Sequence, residues 1–385
     1  MLVTTDNRHY QDIAAAIREQ NGGSDTYTSA EMAQAIRALP VAHVYGVTWD
    51  GGAGTQMTRT DRAKDFPDPS PAVANGSGSS PFDNLMPWAG MVRSERTGGT
   101  MVAIPKFWYR WTRSGDALSL QIADGPVNGF YVSPAHANRG DGSGERDVVY
   151  VGRYHCGRST YKSETSKFPQ VSVKRAAARE NIHSLGEDIW QLDFATRVTI
   201  WMLYLVEFAD WNSQGKIGCG CSSGASAATG GKTDAMLYHT GTSAANRTDY
   251  GFTQYRNIEG LWDNVYDWVD GCYYSESGMS IILKPSDFDD ASGGMLIGKP
   301  AGGYPTVMEV SAERGMEWVL FPAAAGGSNG TYVPDKWELY SSRSCFAAGG
   351  SFMKGKEFGL FYMTSLGETA AGANNGCRLM ELPSA

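Results

Sequence analysis

The chain opens with two short stretches whose apolar residues recur at helical spacing. The first predicts a helix over residues 7–18, with apolar positions at Tyr10, Ile13, Ala14 and Ile17. The second, TSAEMAQAIRALP, predicts a helix that begins with a capping box of Thr28 and Glu31 and ends at Pro40. Because two such short helices bury little surface, we expect residues 1–40 to attach to copies of themselves or to a larger assembly.

The remaining chain predicts many short strands and one helical region. Residues 41–99 are rich in Gly, Pro, Ser and Asp, which indicates either a small β region or a lead-in to the next domain. The segments MVAIPKFWYRW, GFYVSPAH and RDVVYVGRYH then predict strands. Residues 172–214 predict two helices separated by Gly186. Their apolar stripe comprises Trp190, Phe194, Val198, Trp201, Leu205 and Phe208. This order of elements predicts an α+β fold with one core.

Composition narrows the classes of partner. The chain has 385 residues, 42% of them hydrophobic, which is enough for a large core. Its net charge of -8, without a run of Lys or Arg, argues against nucleic acid. Its 47 Gly and 11% aromatic residues are typical of loop-rich folds pinned by buried rings. The longest apolar stretch, VTIWMLYLV, is too short for a membrane span and no signal peptide is visible, so we expect a soluble protein without membrane insertion.

Residues that carry chemistry are sparse. The six Cys include no C-x-x-C pair; their even number permits disulfides, but a chain of this length favours free buried thiols. The six His form no metal-ligand pattern. Two acidic loops offer oxygen ligands for calcium, although neither completes the twelve-residue calcium pattern. These ligands are Asn138, Asp141, Ser143, Glu145 and Asp147 in one loop and Asp287, Asp289 and Asp290 in the other. No cofactor is therefore expected, and calcium is the one ion left open.

The segment RNIEGLWDNVYDWVDGCYY, residues 256–274, concentrates rings and carboxylates. On an extended chain, Trp262, Tyr266 and Trp268 would share one side and Asp263 and Asp267 the other, but a helix would also bury rings, so periodicity leaves both open. Carboxylate chemistry, a cation site and the packed centre of a domain are the three interpretations. A wall of inward-facing rings favours the packed centre.

Several segments carry a family resemblance. MVAIPKFWYR, GLWDNVYDW, AAGGSF, GLF and GCRL resemble, in order and spacing, the framework of the formylglycine-generating-enzyme-like branch of the C-type lectin fold. LDFATRVTIWMLYLVEFADWNSQGKIG and QYRNIEGLWDNVYDWVDG are similar to phage and prophage tail proteins of the major tropism determinant kind, which bind the host surface. The N-terminal helical pair resembles segments at the head of tail-fibre proteins. The resemblance implies a C-type-lectin-like domain over residues 100–385, with two helices, long Gly-rich loops and a ligand surface near 337–377.

The resemblance also divides this domain into framework and ligand-binding positions. The framework positions are Trp262, Asp263, Asn264, Trp268, Gly349, Gly350, Gly359, Phe361, Gly376 and Arg378. Intervening side chains are implied to point outward and bind ligand: Tyr340, Ser342, Arg343, Ser344, Phe346, Phe352, Met353, Lys354, Lys356, Tyr362, Thr364, Leu366, Glu368 and Asn374. Aromatic and small polar side chains on a rigid base are typical of adaptable recognition surfaces. The order Trp-Asp-Asn departs from the Trp-Asn-Asp calcium motif of sugar-binding lectins, which argues against calcium-dependent sugar binding by that route.

The implied function is that of a phage tail-tip adhesin. It would bind a host cell-surface protein or glycan without catalysis, join other tail proteins through its N-terminal module, and form a homotrimer whose avidity strengthens weak sites. It would be made in the bacterial host cytoplasm and reside in the virion; in some relatives a diversity-generating retroelement varies the binding segment. One alternative is a structural tail or baseplate component. The other is a cysteine-oxidising enzyme of the formylglycine-generating type, which would need copper and a reactive thiol at Cys345 or Cys377.

Overall fold

The chain divides into two compact units, which are described separately. A computed structural model describes residues 7–21, 24, 26–28, 31–32, 34–35, 42–342, 344–355 and 358–384. The first unit is Met1–His43 and the second is Val44–Ala385.

The first unit contains the predicted helix and capping box. Helix α1 (Asn7–Asn21) extends the predicted helix by three residues at its end. The backbone N–H of Thr28 donates to Glu31 Oε2 at 2.7 Å, and the N–H of Glu31 donates to Thr28 Oγ1 at 3.4 Å, so the capping box is confirmed. Part of the second predicted helix lies outside the described residues.

A small apolar cluster holds this unit together. Its buried members are Ala14, Ile17 and Met32, with Tyr27 and Ala35 packed against them. Tyr10 and Ile13, which the sequence pattern places on the same face, remain 38% and 41% exposed. The unit therefore presents apolar surface that its own described residues do not cover.

The second unit combines many short strands with few helices, as predicted for an α+β fold. Its helices are α2 (Arg175–His183), α3 (Phe194–Phe208) and α4 (Ser213–Lys216), with single 3-10 turns at Trp88–Gly90 and Pro285–Asp287. Its strands are β1 (Val44–Trp49), β2 (Thr58–Asp61), β3 (Ala72–Val73), β4 (Arg93–Arg96), β5 (Gly99–Pro105), β6 (Trp108–Ser114), β7 (Ala117–Ala123), β8 (Tyr131–Val132), β9 (Val148–Gly152), β10 (Ile189–Gln191), β11 (Gly241–Thr242), β12 (Thr253–Tyr255), β13 (Ile258–Glu259), β14 (Tyr266–Ser275), β15 (Gly278–Ile281), β16 (Met295–Gly298), β17 (Pro305–Val310), β18 (Leu320–Ala325), β19 (Trp337–Glu338), β20 (Cys345–Ala348), β21 (Met363–Leu366), β22 (Asn375–Gly376) and β23 (Leu379–Glu381).

Pairing between distant strands joins the unit. The sheet orders are β2-β1-β7-β6-β8, β10-β23-β9-β5-β4, β13-β12-β11-β3, β16-β15-β14-β20-β21-β19 with β22 beside β14, and the pair β17-β18. Strand β1 pairs with β7, and β3 pairs with β11, so the Gly/Pro-rich stretch from residue 44 onward belongs to the large unit and is not a small domain of its own. The buried apolar residues form a main cluster, a second cluster around Trp268 and Cys377, and a small third one of Ala227, Val265 and Phe352, where the sequence predicts one core.

Helix α3 is buried on every side. All of its residues are buried, so the predicted apolar stripe contains only some of the residues that pack against the interior. The helix is mainly apolar and lies in the interior, and its few charged residues, Arg197 and Glu207, are buried with it. Asp193 caps its start, because Oδ1 accepts the N–H of Thr196 at 2.8 Å. Trp190 does not belong to this helix, contrary to prediction: it lies on β10, and its ring stacks on His183 at 3.9 Å.

The ring-rich segment 256–274 is packed interior, in agreement with the favoured interpretation. Strand β14 is buried along nearly its whole length, so the alternating rings and carboxylate at its start are all enclosed. The preceding turn requires a positive φ of 66° at Asn264, a conformation that Asn tolerates better than most residues. The indole N–H of Trp262 donates to the carbonyl of Gly218 at 3.0 Å, and that of Trp268 to Val173 at 2.9 Å.

Arg378 joins three separate segments inside this unit. Its Nε donates to Asp267 Oδ2 on β14 at 2.9 Å. Its Nη1 donates to the carbonyl of Gly152 at 2.8 Å, and its Nη2 donates to those of Glu259 and Gly260 at 2.9 and 3.0 Å. Both Arg378 and Asp267 are almost completely buried, so each charge depends on the other for compensation.

We expect Arg378→Lys to lower the free energy of unfolding by about 3 kcal/mol, because an ammonium group cannot replace a five-donor fork and buried carbonyls lose their donors. Urea denaturation of the two proteins measures the difference. Arg62→Lys, at an exposed position, is the matched control and should change stability by less than about 0.5 kcal/mol. Equal stability of the two variants would show that the network contributes little.

Candidate binding surface

The C-terminal candidate residues lie on and between three neighbouring strands. Strand β20 pairs with β14 on one side and with β21 on the other, and β19 pairs in parallel with β21. The loops between these strands carry the positions that the resemblance implies for ligand binding. The strands place these loops on a scaffold whose interior is filled by rings.

Four of the candidates are buried, so the expectation that they point outward is wrong for them. They are Phe346, Phe352, Tyr362 and Thr364, with exposed fractions of 4% or less. Phe346 packs against Trp337 with ring centroids 6.3 Å apart, and Phe352 clusters with Ala227 and Val265. Strands β20 and β21 are buried on both faces, so alternating positions do not separate inside from outside.

The remaining described candidates reach solvent. Tyr340 and Met353 are 47% and 66% exposed. Ser342 and Glu368 are exposed, and the partly exposed members are Ser344, Lys354, Leu366 and Asn374. Arg343 and Lys356 lie outside the described residues.

A shallow groove of about 430 Å³ brings several of these residues together with a hairpin that the sequence interpretation missed. Ser341, Ser342, Ser344 and Glu368 line one side of this serine groove, and Tyr274, Ser275, Glu276, Ser277 and Ala291 line the other. The N–H of Tyr274 donates to the carbonyl of Ser344 at 2.9 Å, and Ser344 Oγ donates to Glu368 Oε1 at 3.1 Å. Pairing between β14 and β20 brings the two sides of the groove together. The sequence near either side does not indicate that the two segments are close.

A second polar cluster is centred on Glu338. Its Oε2 accepts hydrogen bonds from the Tyr362 hydroxyl at 2.6 Å and from Lys354 Nζ at 3.1 Å, while Lys336 Nζ donates to Oε1 at 3.3 Å. Burial opposes ionisation, but the bonds from Tyr362 and Lys354 lower the pKa of Glu338 below its ordinary value. The carboxylate therefore stays charged and positions Lys354 at the surface.

Buried side chains form hydrogen bonds with the backbone of the loop at residues 359–361. Asp335 Oδ1 accepts the N–H of Gly359 at 2.6 Å, and Oδ2 accepts that of Phe361 at 2.9 Å. From α3, Arg197 Nη2 and the Trp201 indole N–H both donate to the carbonyl of Leu360 at 2.9 Å. The loop is thus fixed through its backbone.

The framework candidates are all buried. Gly349 adopts a φ of 74°, and a side chain there would meet the carbonyl oxygen of Leu261 at 2.4 Å. At Gly350 a Cβ would lie 2.4 Å from the oxygen of Trp262. Asn264 exchanges two hydrogen bonds with the backbone of Ala228, at 2.8 and 2.9 Å. Close backbone contacts therefore require Gly at positions 349 and 350, and the two hydrogen bonds to Ala228 account for Asn at position 264.

The six cysteines are free thiols, and five are buried. Cys377 lies within hydrogen-bonding reach of Cys156, a neighbourhood that sequence distance conceals. A hydrogen bond that the Cys377 thiol donates to Cys156, together with burial, raises the pKa of Cys377 well above its ordinary value, and burial raises that of Cys345 to about 11. Both groups are thiols at neutral pH, and thiols are weak nucleophiles.

The two acidic loops use their oxygens within the protein. Asp141 accepts from Arg146 Nη2 at 2.5 Å and from the N–H of Ser143 at 3.0 Å. Asp290 accepts from Arg175 at 2.9 Å and from Arg179 at 2.5 Å. In the parts of the chain that the structure describes, no group of three or more His, Cys, Asp or Glu is arranged to hold a metal ion.

No protein-family model and no curated protein matches this chain. Among the described residues, no helix has the length and apolar character needed to cross a membrane.

Asp335 predicts a measurable pH dependence. Burial raises the pKa of Asp335 to about 7, although the two N–H donors act to lower it, whereas the pKa of Asp in an unfolded chain is about 3.9. The folded state therefore holds this proton between those values, and the contribution of Asp335 to stability falls as pH rises from 5 to 7. We expect Asp335→Asn to destabilise the protein more at pH 5 than at pH 8, with a difference of about 2 kcal/mol. Urea denaturation at both pH values measures it.

The exposed Asp116→Asn variant is the control and should show no such difference. A destabilisation by Asp335→Asn that is equal at pH 5 and pH 8 would contradict the raised pKa.

Proposed function

We propose that this protein is a phage or prophage tail-tip adhesin that binds a host cell-surface protein or glycan. The exposed residues of the C-terminal loops are the contact surface, and other tail proteins are the partners of the N-terminal unit. The protein would be made in the bacterial host cytoplasm and carried in the virion.

The single observation that supports this function best is the contrast between a rigid interior and the solvent-exposed, hydroxyl-rich C-terminal surface. Ser342 and Ser344 in the serine groove supply hydroxyl groups that both donate and accept hydrogen bonds. Nearby in sequence, Tyr340 adds an exposed ring and Met353 adds exposed apolar area. Such a combination of adaptable polar groups and large side chains suits recognition of a surface molecule.

The proposal includes a C-type-lectin-like fold for the large unit, with the formylglycine-generating-enzyme-like framework. The mixed α+β architecture, the buried Trp262 and Trp268, and the loops held above buried strands are compatible with that fold. Under this proposal, retroelement-driven diversification would act on the exposed loop positions and spare the buried framework.

Two alternatives predict different behaviour. A structural tail or baseplate component would not need the exposed loop residues for adsorption. A cysteine-oxidising enzyme would need a thiolate, whereas burial favours the neutral thiol at Cys345 and Cys377. We therefore propose binding without catalysis.

Adsorption to intact bacterial cells tests the binding surface. We expect the combined variant Tyr340→Ala, Met353→Ala and Glu368→Gln to lose at least tenfold in affinity for the host that wild type binds, because exposed contact area and a carboxylate are removed. Labelled protein titrated onto a panel of bacterial strains measures the affinity. The variant should keep its thermal stability, since all three side chains are exposed.

The matched control replaces Tyr250 and Leu237, which are 49% and 89% exposed, by Ala. This control should bind as wild type does. Equal adsorption by wild type, control and triple variant would favour the structural alternative, and cell binding by none of them would contradict the adhesin proposal.

Trimer formation through the N-terminal unit is tested by Ile13→Asp. Ile13 is 41% exposed on α1, so a charge there would be costly in an interface between copies. We expect light scattering to give three chain masses for wild type and one for the variant. Gln11→Asp, on the same helix and exposed, should remain a trimer; a wild-type monomer, or a trimeric Ile13→Asp protein, would contradict the proposal.

A further inference from the structure

A second concave surface lies outside the C-terminal loops, on the sheet that contains β6 and β8. It consists of a cleft of about 580 Å³ and a neighbouring cleft of about 300 Å³. Tyr131 and Glu317 line both clefts, which are therefore adjacent and together are called the Tyr131 groove. Both volumes lie within the range of small-molecule sites.

Aromatic rings form much of the wall of the larger cleft. Tyr109, Tyr131 and Trp318 line it, and the rings of Tyr109 and Tyr131 lie 6.0 Å apart. Tyr131 is 50% exposed, whereas Tyr109 and Trp318 are buried. The exposed ring of Tyr131 is therefore accessible to a ligand from both clefts.

Each cleft is also lined by a residue with a shielded N–H donor that finds no acceptor among the described residues. Arg139, 3% exposed, lines the larger cleft, and its Nε has no hydrogen-bond partner among the described residues. Trp111 lines the smaller cleft, and its indole N–H is equally unpaired within that part of the chain. An unsatisfied buried donor costs roughly 1–3 kcal/mol, so a ligand that brings oxygen acceptors gains affinity at both points.

The charges of the groove do not favour an anion. Arg139 Nη1 is paired with the buried carboxylate of Asp193. At the rim, Arg314 faces solvent, and Glu317 supplies the opposite charge. A neutral ligand rich in hydroxyl and ring oxygens fits these features better than a phosphate or a carboxylate does.

We propose that the Tyr131 groove is a binding site for a neutral saccharide, whose pyranose face stacks on Tyr131 while its oxygens accept from Arg139 Nε and the Trp111 indole N–H. The two clefts on either side of Tyr131 suit a short oligosaccharide and not a single sugar. The assignment does not depend on the C-terminal surface.

An array of neutral glucans, galactans, mannans, xylans and N-acetylhexosamine oligomers, probed with the full-length protein, identifies the saccharide, and calorimetry with that oligomer gives its affinity. We expect Tyr131→Ala to weaken binding at least tenfold, because the stacking ring is lost. Trp111→Phe keeps a ring but removes the N–H and should weaken binding roughly three- to tenfold. Tyr250→Ala, an exposed tyrosine elsewhere in the unit, should leave the affinity unchanged.

Absence of binding to every neutral oligomer would overturn the assignment. Binding that Tyr131→Ala leaves unchanged would overturn it as well, because the saccharide would then occupy another surface. Tyr131→Ala removes a half-exposed side chain, so it keeps the test decisive even if Trp111→Phe fails to fold. This test uses soluble oligosaccharide and no cells. Its result therefore holds even if the C-terminal surface does not mediate adsorption to cells.

Discussion

The buried ion pair of Arg378 and Asp267 is the constraint on which the arrangement of the large unit depends. Burial alone would raise the pKa of Asp267, but the adjacent charge of Arg378 holds that pKa well below its ordinary value. The remaining guanidinium donors satisfy carbonyls at the end of β9 and at the end of β13. Neither charge tolerates burial without the other. The positions of β9, β14 and the C-terminal strands relative to one another are therefore fixed by the same ion pair.

This interior determines where variable surface can exist. Helix α3 and strands β14, β20 and β21 are enclosed, so their side chains are committed to packing. Most of the exposed candidates lie on the connections before or after these strands, and the end of β14, which pairs with β20, lines the serine groove beside several of them at Tyr274 and Ser275. The serine groove is therefore a consequence of strand pairing, and its two sides come from segments that are distant along the chain.

Local signals predict part of this structure and fail where tertiary pairing decides. The capping box at Thr28 and the strand-forming residues of MVAIPKFWYRW, which fold into β5 and β6, are local properties, and the structure confirms them. Phe346 was misplaced because a strand buried on both faces lacks the alternation that marks inside from outside. Tyr362 precedes β21, and its ring is buried by contacts with Phe358 and with Tyr266, which is distant in the sequence. Tyr274 and the proximity of Cys156 to Cys377 were missed because each depends on contacts between distant segments, for which a single sequence offers no spacing rule.

The loops at the C-terminal end are supported through their backbone more than through the side chains that they expose. Asp335 accepts from two loop N–H groups, α3 donates to the carbonyl of Leu360, and Tyr274 donates to the carbonyl of Ser344. Apart from the bond between Ser344 and Glu368, these supports do not involve the exposed side chains. Because backbone contacts are indifferent to side-chain identity, Ser342 and Met353 can change without loss of these contacts. A surface with that property can acquire new ligands while its fold is retained, which is the physical requirement for a recognition surface that varies.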